Sequence, residues 1–182
     1  MPAKSLYSYS DTLYAILDAF RPRSVFEWGP GTSTQIMALH GCVEELTSVE
    51  HEGAFFDVVE RMSLPNVRLQ HRPDMDGYVG AITDSSYDMV FVDGRDRSRC
   101  LSLAKVYTKL VLLHDAARSD YREAVDSYRF QVWTDEGNTV ALTDDADTYL
   151  KLMECLSSLD CEKPEAEVVR MVGHSLVNGE KF

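Results

Sequence analysis

Ser24-Val25-Phe26-Glu27-Trp28-Gly29-Pro30-Gly31-Thr32-Ser33-Thr34 runs from a short apolar strand through an acid into a glycine turn, and then into a helix. In this way a parallel sheet presents bare backbone N–H groups and a helix N-terminus to a nucleotide-like ligand. Gly29 and Gly31 permit a sharp turn and let a ligand touch main chain. Thr32, Ser33 and Thr34 are good N-cap residues for the following helix.

Two ligands compete for such a turn. A dinucleotide fingerprint, G-x-G-x-x-G, would seat a pyrophosphate on the helix N-terminus. Here the third glycine position is Thr34, and Glu27 stands two residues before Gly29. A carboxylate there repels a pyrophosphate but suits the ammonium group of an amino-acid moiety. The E-x-G-x-G loop after a first strand resembles the cofactor loop of the Rossmann-like, S-adenosylmethionine-dependent methyltransferases. The plainer alternative is a capped strand-to-helix turn with nothing bound.

Outward from this turn, the hydrophobic periodicity predicts alternating strands and helices. A helix over residues 11–20, within a lead-in at 8–20, carries Leu13, Ala15, Ile16, Leu17 and Phe20 and ends at Arg21-Pro22-Arg23. Strands are predicted over 24–28, 46–50, 67–70, 87–93 and 110–115. Helices are predicted over 32–40, 54–62, 99–107 and 121–128. Residues 130–133 and 139–143 flank Glu136-Gly137-Asn138 and read as an antiparallel hairpin. A last amphipathic helix spans 146–159, before a tail of mixed character. The alternation predicts an α/β fold, a mostly parallel sheet with helices on both faces, in one domain over residues 1–182 with its core at 24–143.

The chain has 182 residues, enough for one well-buried core, and its 45% hydrophobic content is ordinary for a globular protein. Its formal net charge of −12 removes the sequence-independent attraction on which nucleic-acid and anionic-membrane binding rest. A small molecule or a protein side chain fits better than nucleic acid or membrane, and charge alone does not choose between them; a small-molecule acceptor substrate is the expected partner. No apolar run reaches the ~20 residues of a membrane span, and the N-terminus lacks a signal-peptide pattern. Cys42, Cys100, Cys155 and Cys161 form no C-x-x-C pair, as expected for reduced thiols in a cytoplasmic protein.

Ligands of such sheets sit at the carboxyl ends of the strands. Glu27, Glu50, Asp93 and Asp115 each fall at a predicted strand end and should project toward one crevice. Glu50 follows Gly29 by 21 residues, the spacing at which an acid reaches ribose hydroxyls. An NAD site shares this feature. His51 could pack on an adenine edge or simply lie at the surface.

The run from Val43 to Val59, with Thr47-Ser48-Val49-Glu50-His51, is similar to the second-strand region of a small methyltransferase-like family. Phe91-Val92-Asp93-Gly94-Arg95-Asp96-Arg97-Ser98-Arg99-Cys100 resembles its V-D-G-R-x-R-x-x-C segment. Leu112-Leu113-His114-Asp115, followed by Arg118 and Tyr121, resembles its next strand end. The likeness covers about residues 8–143. It implies a three-layer αβα sandwich with a seven-stranded Rossmann-like methyltransferase sheet whose last strand is reversed. It further implies S-adenosylmethionine held at Glu27, Gly29, Gly31, Ser33, Thr34 and Glu50. Where many such proteins carry Pro-Gly-Gly before the fifth strand, this chain has Tyr107-Thr108-Lys109.

Methyl transfer needs alignment and exclusion of water, and a hydroxyl or carboxyl acceptor also benefits from a base. Asp93 and Asp115 are the candidate carboxylates and His114 the candidate base, although alternation along a strand would put His114 and Asp115 on opposite faces. Ala116 follows Asp115 where catechol-type methyltransferases have Asn, which removes an oxygen ligand; no metal is assigned, while waters could complete a weak divalent site at Asp93 and Asp115. Arg95, Arg97, Arg99, Arg118 and Arg122 form a basic island. Arg95 and Arg118 are candidates to clamp an anionic acceptor, and ion pairing with Asp96, Asp120 and Glu123 is the plainer reading. Tyr78, Tyr121 and Trp133 would either wall the site or fill the core. The sequence thus points to S-adenosylmethionine-dependent methyl transfer to a small acceptor. The rivals are a non-catalytic adenosyl-ligand binder and an NAD-linked oxidoreductase. A short chain leaves little room for a lid, so a homo-oligomer could complete the site.

Overall fold

The computed structural model describes residues 9–83, 86–134 and 137–157. A helix α1 (Tyr9–Phe20) precedes β1 (Ser24–Trp28), α2 (Thr32–Leu39), β2 (Glu45–Glu50), α3 (Gly53–Glu60) and β3 (Val67–His71). The chain continues through α4 (Met75–Val79), β4 (Met89–Val92), α5 (Arg97–Tyr107) and β5 (Val111–His114). A 3₁₀ turn (Ser119–Tyr121) and α6 (Arg122–Asp126) lead to β6 (Phe130–Thr134), β7 (Thr139–Thr143) and α7 (Ala146–Ser157). The sheet has seven strands in the order β3-β2-β1-β4-β5-β7-β6. Strands β1 to β5 pair in parallel, while β7 runs antiparallel to both β5 and β6. The strand order reverses between β1 and β4, which places the ligand crevice of such a sheet at their carboxyl ends.

Period-two alternation of the central strands divides the core into two layers. On one face Phe26, Trp28, Val90, Val92, Val111 and Leu113 pack with Cys100, Leu101 and Ala104 of α5 and with Tyr78 of α4. On the other, Val25, Leu46, Met89, Phe91 and Leu112 pack with Leu13, Ile16 and Leu17 of α1, Met37 of α2 and Leu152 of α7. Because both faces are covered, β4 is buried along its whole length, and it reads in sequence as an unbroken apolar run. The α1 stripe follows the predicted one. Leu13, Ile16 and Leu17 are fully buried, each contributing roughly 1.5–3 kcal/mol of transfer free energy.

The local differences have local causes. Periodicity missed α4, which is a single short turn of helix containing Gly77. Asp74 holds its start, accepting from the Gly77 N–H at 2.6 Å. The segment read as one helix over 121–128 is the 3₁₀ turn followed by the short α6. The fifth strand stops one residue early because Asp115 takes a left-handed conformation, φ 54°. The hairpin pairs as predicted, from Phe130 opposite Thr143 to Thr134 opposite Thr139, with Gly137 at φ 87°. Glu136, Cys161 and the end of the predicted last helix lie outside the described residues.

The turn after β1 is fixed by a backbone contact. Gly29 has φ 88° and donates its N–H to the Val49 carbonyl at 3.0 Å. A Cβ there would fall 2.5 Å from both Cα and N of Gly94, in the loop after β4. A methyl on Gly94 would in turn collide with the Tyr78 hydroxyl. Gly137 shares the positive φ but meets nothing within 4 Å. Gly137→Ala should therefore cost about 1 kcal/mol, and Gly29→Ala roughly 3 kcal/mol or more, since backbone overlap adds to conformational strain. Chemical denaturation of the two variants, read side by side, checks the difference; equal losses would mean the glycine contact is not tight.

Candidate functional site

The loop after β1 turns its chemistry inward. Glu27, fourth residue of β1, is fully buried. Its Oε1 accepts from Ser33 Oγ at 2.6 Å, and its Oε2 from Thr34 Oγ1 at 2.7 Å and Ser48 Oγ at 2.6 Å. Thr34 Oγ1 also accepts the Gly31 N–H at 2.8 Å. The Glu27 carboxylate and the hydroxyls of Ser33 and Thr34, expected to hold a ligand, bond one another beneath the loop. Burial pushes the Glu27 carboxyl up to about 7, against the pull of its three hydroxyl donors. What remains open at the turn is main chain, for a Cβ on Gly31 would meet nothing within 4 Å.

Glu50 closes β2. Its Oε1 accepts the backbone N–H groups of His51 and Glu52, each at 2.7 Å, which locks the carboxylate in place. Its Oε2 accepts from none of the described residues. The His51 ring stands edge-on to Tyr78, with centroids 5.4 Å apart. His51 Nδ1 lies 2.7 Å from Glu50 Oε1 but without hydrogen-bonding geometry, so this nitrogen is buried and unpaired. Tyr78 is core, not wall. Its carbonyl accepts the Trp28 indole N–H at 3.0 Å and its hydroxyl accepts the Arg95 N–H at 3.3 Å.

Across the crevice, Asp93 directly follows β4, His114 ends β5 and Asp115 comes directly after it. The left-handed turn at Asp115 cancels the strand alternation, so both residues face Asp93. One ligating atom from each of the three lies within 4.8 Å of the others. His114 Nδ1 is 3.1 Å from Asp93 Oδ1. Since the carboxylate can only accept, Nδ1 carries the proton. The Asn138 amide faces His114 Nε2 at 3.3 Å and Asp115 Oδ1 at 3.5 Å. The Tyr9 ring packs on the imidazole, 4.5 Å between centroids. The hydrogen bond to Asp93 raises the His114 pKa above its ordinary value, burial opposing it.

The basic island separates into two kinds of residue. Arg97, the first residue of α5, is buried and binds the ends of both strands. Arg99 pairs with Asp76 and Asp96. Arg95 and Arg122 are exposed, with no side-chain partner among the described residues, and Arg118 is exposed with only a 3.4 Å contact to Asp115. The predicted pairing is therefore found for Asp96 but not for Asp120 or Glu123. Asn138 and Tyr9 were not singled out as site residues, because each meets its partners 23 or more positions away, and Arg97 was read only as one member of the basic island. A cavity of about 440 Å³ lies elsewhere, beside the edge strand, among Thr47, Arg68, Gln70 and Arg72.

No protein-family model matches the chain, and no curated protein is similar to it in sequence. Solved structures are. A methyltransferase-like protein from Silicibacter pomeroyi superposes with a TM-score of 0.61 at 16% identity, over 83% of this chain and 95% of that one. An O-methyltransferase from Bacillus cereus in complex with SAH gives 0.54 at 16% identity, over 78% and 84%. Spermidine synthase bound to the transition-state analogue AdoDATO gives 0.57 at 12% identity, over 85% and 65%. The fold is that of the Rossmann-like methyltransferases. The third structure shows that this fold also carries another activity, so the activity of this chain has to be argued from its own site.

The Glu27 carboxyl makes one pH dependence testable. Its folded pKa is raised, so its contribution to stability is full below its unfolded pKa, near 4.5, and is lost as pH rises through about 7. Between pH 4.5 and 8 the wild-type protein should lose up to ~3 kcal/mol from this group, and Glu27→Gln should flatten that slope. Urea unfolding of both proteins across this range reads the effect; parallel pH profiles would show that Glu27 stays ionised in its hydroxyl cage.

Proposed function

We propose that the chain binds S-adenosylmethionine at the carboxyl ends of β1, β2 and β4 and transfers its methyl group to a small acceptor. The observation that carries this reading is the Glu50 carboxylate. It is fixed by two backbone N–H groups, with its second oxygen open, beside a glycine turn whose main chain faces free space. A carboxylate held this way is built to accept the two hydroxyls of a ribose and to reject a 2′-phosphate. The likeness to methyltransferase structures, one of them holding SAH, supports the same assignment.

When bound, the cofactor supplies an electrophilic methyl group whose transfer is an in-line displacement. Main chain around Gly29 and Gly31 would receive the amino-acid portion, Glu50 the ribose, and the His51 edge the adenine. On the acceptor side, Asp93 fixes the His114 tautomer with Nδ1 protonated, so that Nε2 accepts from the Asn138 amide at 3.3 Å and becomes the base when an acceptor displaces that donor. Arg95 and Arg118 stand exposed at the rim, where their charge suits an anionic acceptor. Asp115 and the Asn138 amide flank the imidazole and hold the proton-accepting edge in place.

Calorimetric titration with S-adenosylmethionine, S-adenosylhomocysteine and NAD in parallel should give micromolar binding of the first two and none of NAD. Glu50→Ala should weaken adenosyl-ligand binding roughly 10- to 100-fold without unfolding the domain. Binding of NAD alone, or unchanged affinity in the variant, would overturn the assignment. His114→Gln should keep the cofactor and lose turnover. A fully active variant would remove the proposed base.

A further inference from the structure

We infer that Arg97 is a positioning residue, a resident cation that stands where a divalent metal ion would otherwise join Asp93 to Asp115, and that it holds His114 in the crevice. The part of this inference that concerns proton transfer rests on the proposed methyl transfer; the part that concerns the cation does not.

Two strand-end carboxylates and an imidazole with ligating atoms within 4.8 Å of one another are the donor set of a divalent site. Among the described residues no other such group occurs. In this chain, however, the space behind the group is already filled by a guanidinium that is 7% exposed. Nε donates to the Gly94 carbonyl at 2.9 Å, and Nη1 to the His114 carbonyl at 2.7 Å. Nη2 donates to both the Asp93 carbonyl and Asp93 Oδ1, each at 2.9 Å. Nη1 also lies 3.6 Å from Asp115 Oδ2, and the Tyr121 ring covers the group with its centroid 5.4 Å from Cζ.

Three features make this a device and not a chance ion pair. First, the position is electrostatically costly: a cation at the first turn of α5 meets the positive end of the helix, so it persists because three carbonyls and two carboxylates surround it. Second, a guanidinium stays charged at any working pH, and its planar fork matches acceptors on two strand ends at once. A lysine ammonium could not span them. Third, Asp93 Oδ1 is shared between Arg97 and the His114 Nδ1–H. A metal ion taking that oxygen would have to displace both donors and sit beside a fixed positive charge. The same bonds that exclude the ion tie β4 to β5 and fix the imidazole: the His114 carbonyl is held by Arg97, and its ring by the carboxylate that Arg97 orients.

Titration of the full chain with Mn²⁺, followed by electron paramagnetic resonance, tests the cation role. Wild-type protein should bind no Mn²⁺ up to millimolar concentration. Arg97→Met should bind it at least tenfold more tightly, and adding Asp93→Asn should abolish the gain. Micromolar Mn²⁺ binding by the wild type that is lost on Asp93→Asn would overturn the inference, as would a folded Arg97→Met with no gain. Arg97→Lys keeps the charge if the methionine variant fails to fold. It should still exclude Mn²⁺ while shifting the ¹⁵N resonances of the His114 ring at fixed pH, because the carbonyl clamp is lost. Unmoved ring resonances in that variant would remove the positioning role. Calorimetry of the wild type with S-adenosylhomocysteine reads the cofactor assignment separately: its failure there would leave the Mn²⁺ result standing.

Discussion

The close approach of Gly29 and Gly94 is the constraint around which the crevice is organised. Strands β1 and β4 are neighbours at the point where the strand order reverses, and the loops leaving them diverge to opposite sides of the sheet. Where they part, backbone passes backbone at a separation that leaves no room for a Cβ on Gly29, and the Tyr78 hydroxyl closes the contact from α4. Divergence opens a cleft above this contact, and the contact fixes its floor. Asp93, one residue before Gly94, is thereby held at the rim opposite Glu50.

Around that floor the chain neutralises its own buried charge. Glu27 is caged by the hydroxyls of Ser33, Thr34 and Ser48, and Arg97 is caged by carbonyls and carboxylates from two strand ends. Both cages lie below the surface a ligand would touch. On the proposed reading the contact surface is left to main chain at Gly31 and the second oxygen of Glu50. An acidic chain in this way keeps a guanidinium among the carboxylates of two strand ends.

Much of this architecture is visible without coordinates, for definite reasons. An unbroken apolar run such as 89–92 can only be a strand covered on both sides. The Leu13, Ile16, Leu17 spacing gives a helix one buried stripe, and the glycine at 29 marks a turn that other residues cannot make. The acids at 93 and 115 were readable as strand ends because each closely follows an apolar run. Short elements were not. Helix α4 has too few residues for a period to show, and the 3₁₀ turn at 119–121 blurs into the helix after it.

Sequence by itself determined the parallel sheet, the reversed hairpin and the set of candidate residues, because backbone period and turn chemistry are local properties. Only the tertiary structure decided which of those residues face the crevice. Glu27 turned inward because Ser48 on the neighbouring strand and the two hydroxyls of α2 converge on it, and no spacing along the chain encodes that meeting. Arg97, indistinguishable in sequence from Arg95 and Arg99, became the buried one because the carbonyls of residues 93, 94 and 114 come together only when β4 and β5 are paired. The active shape of the site belongs to contacts between strands, and those exist only once the sheet has formed.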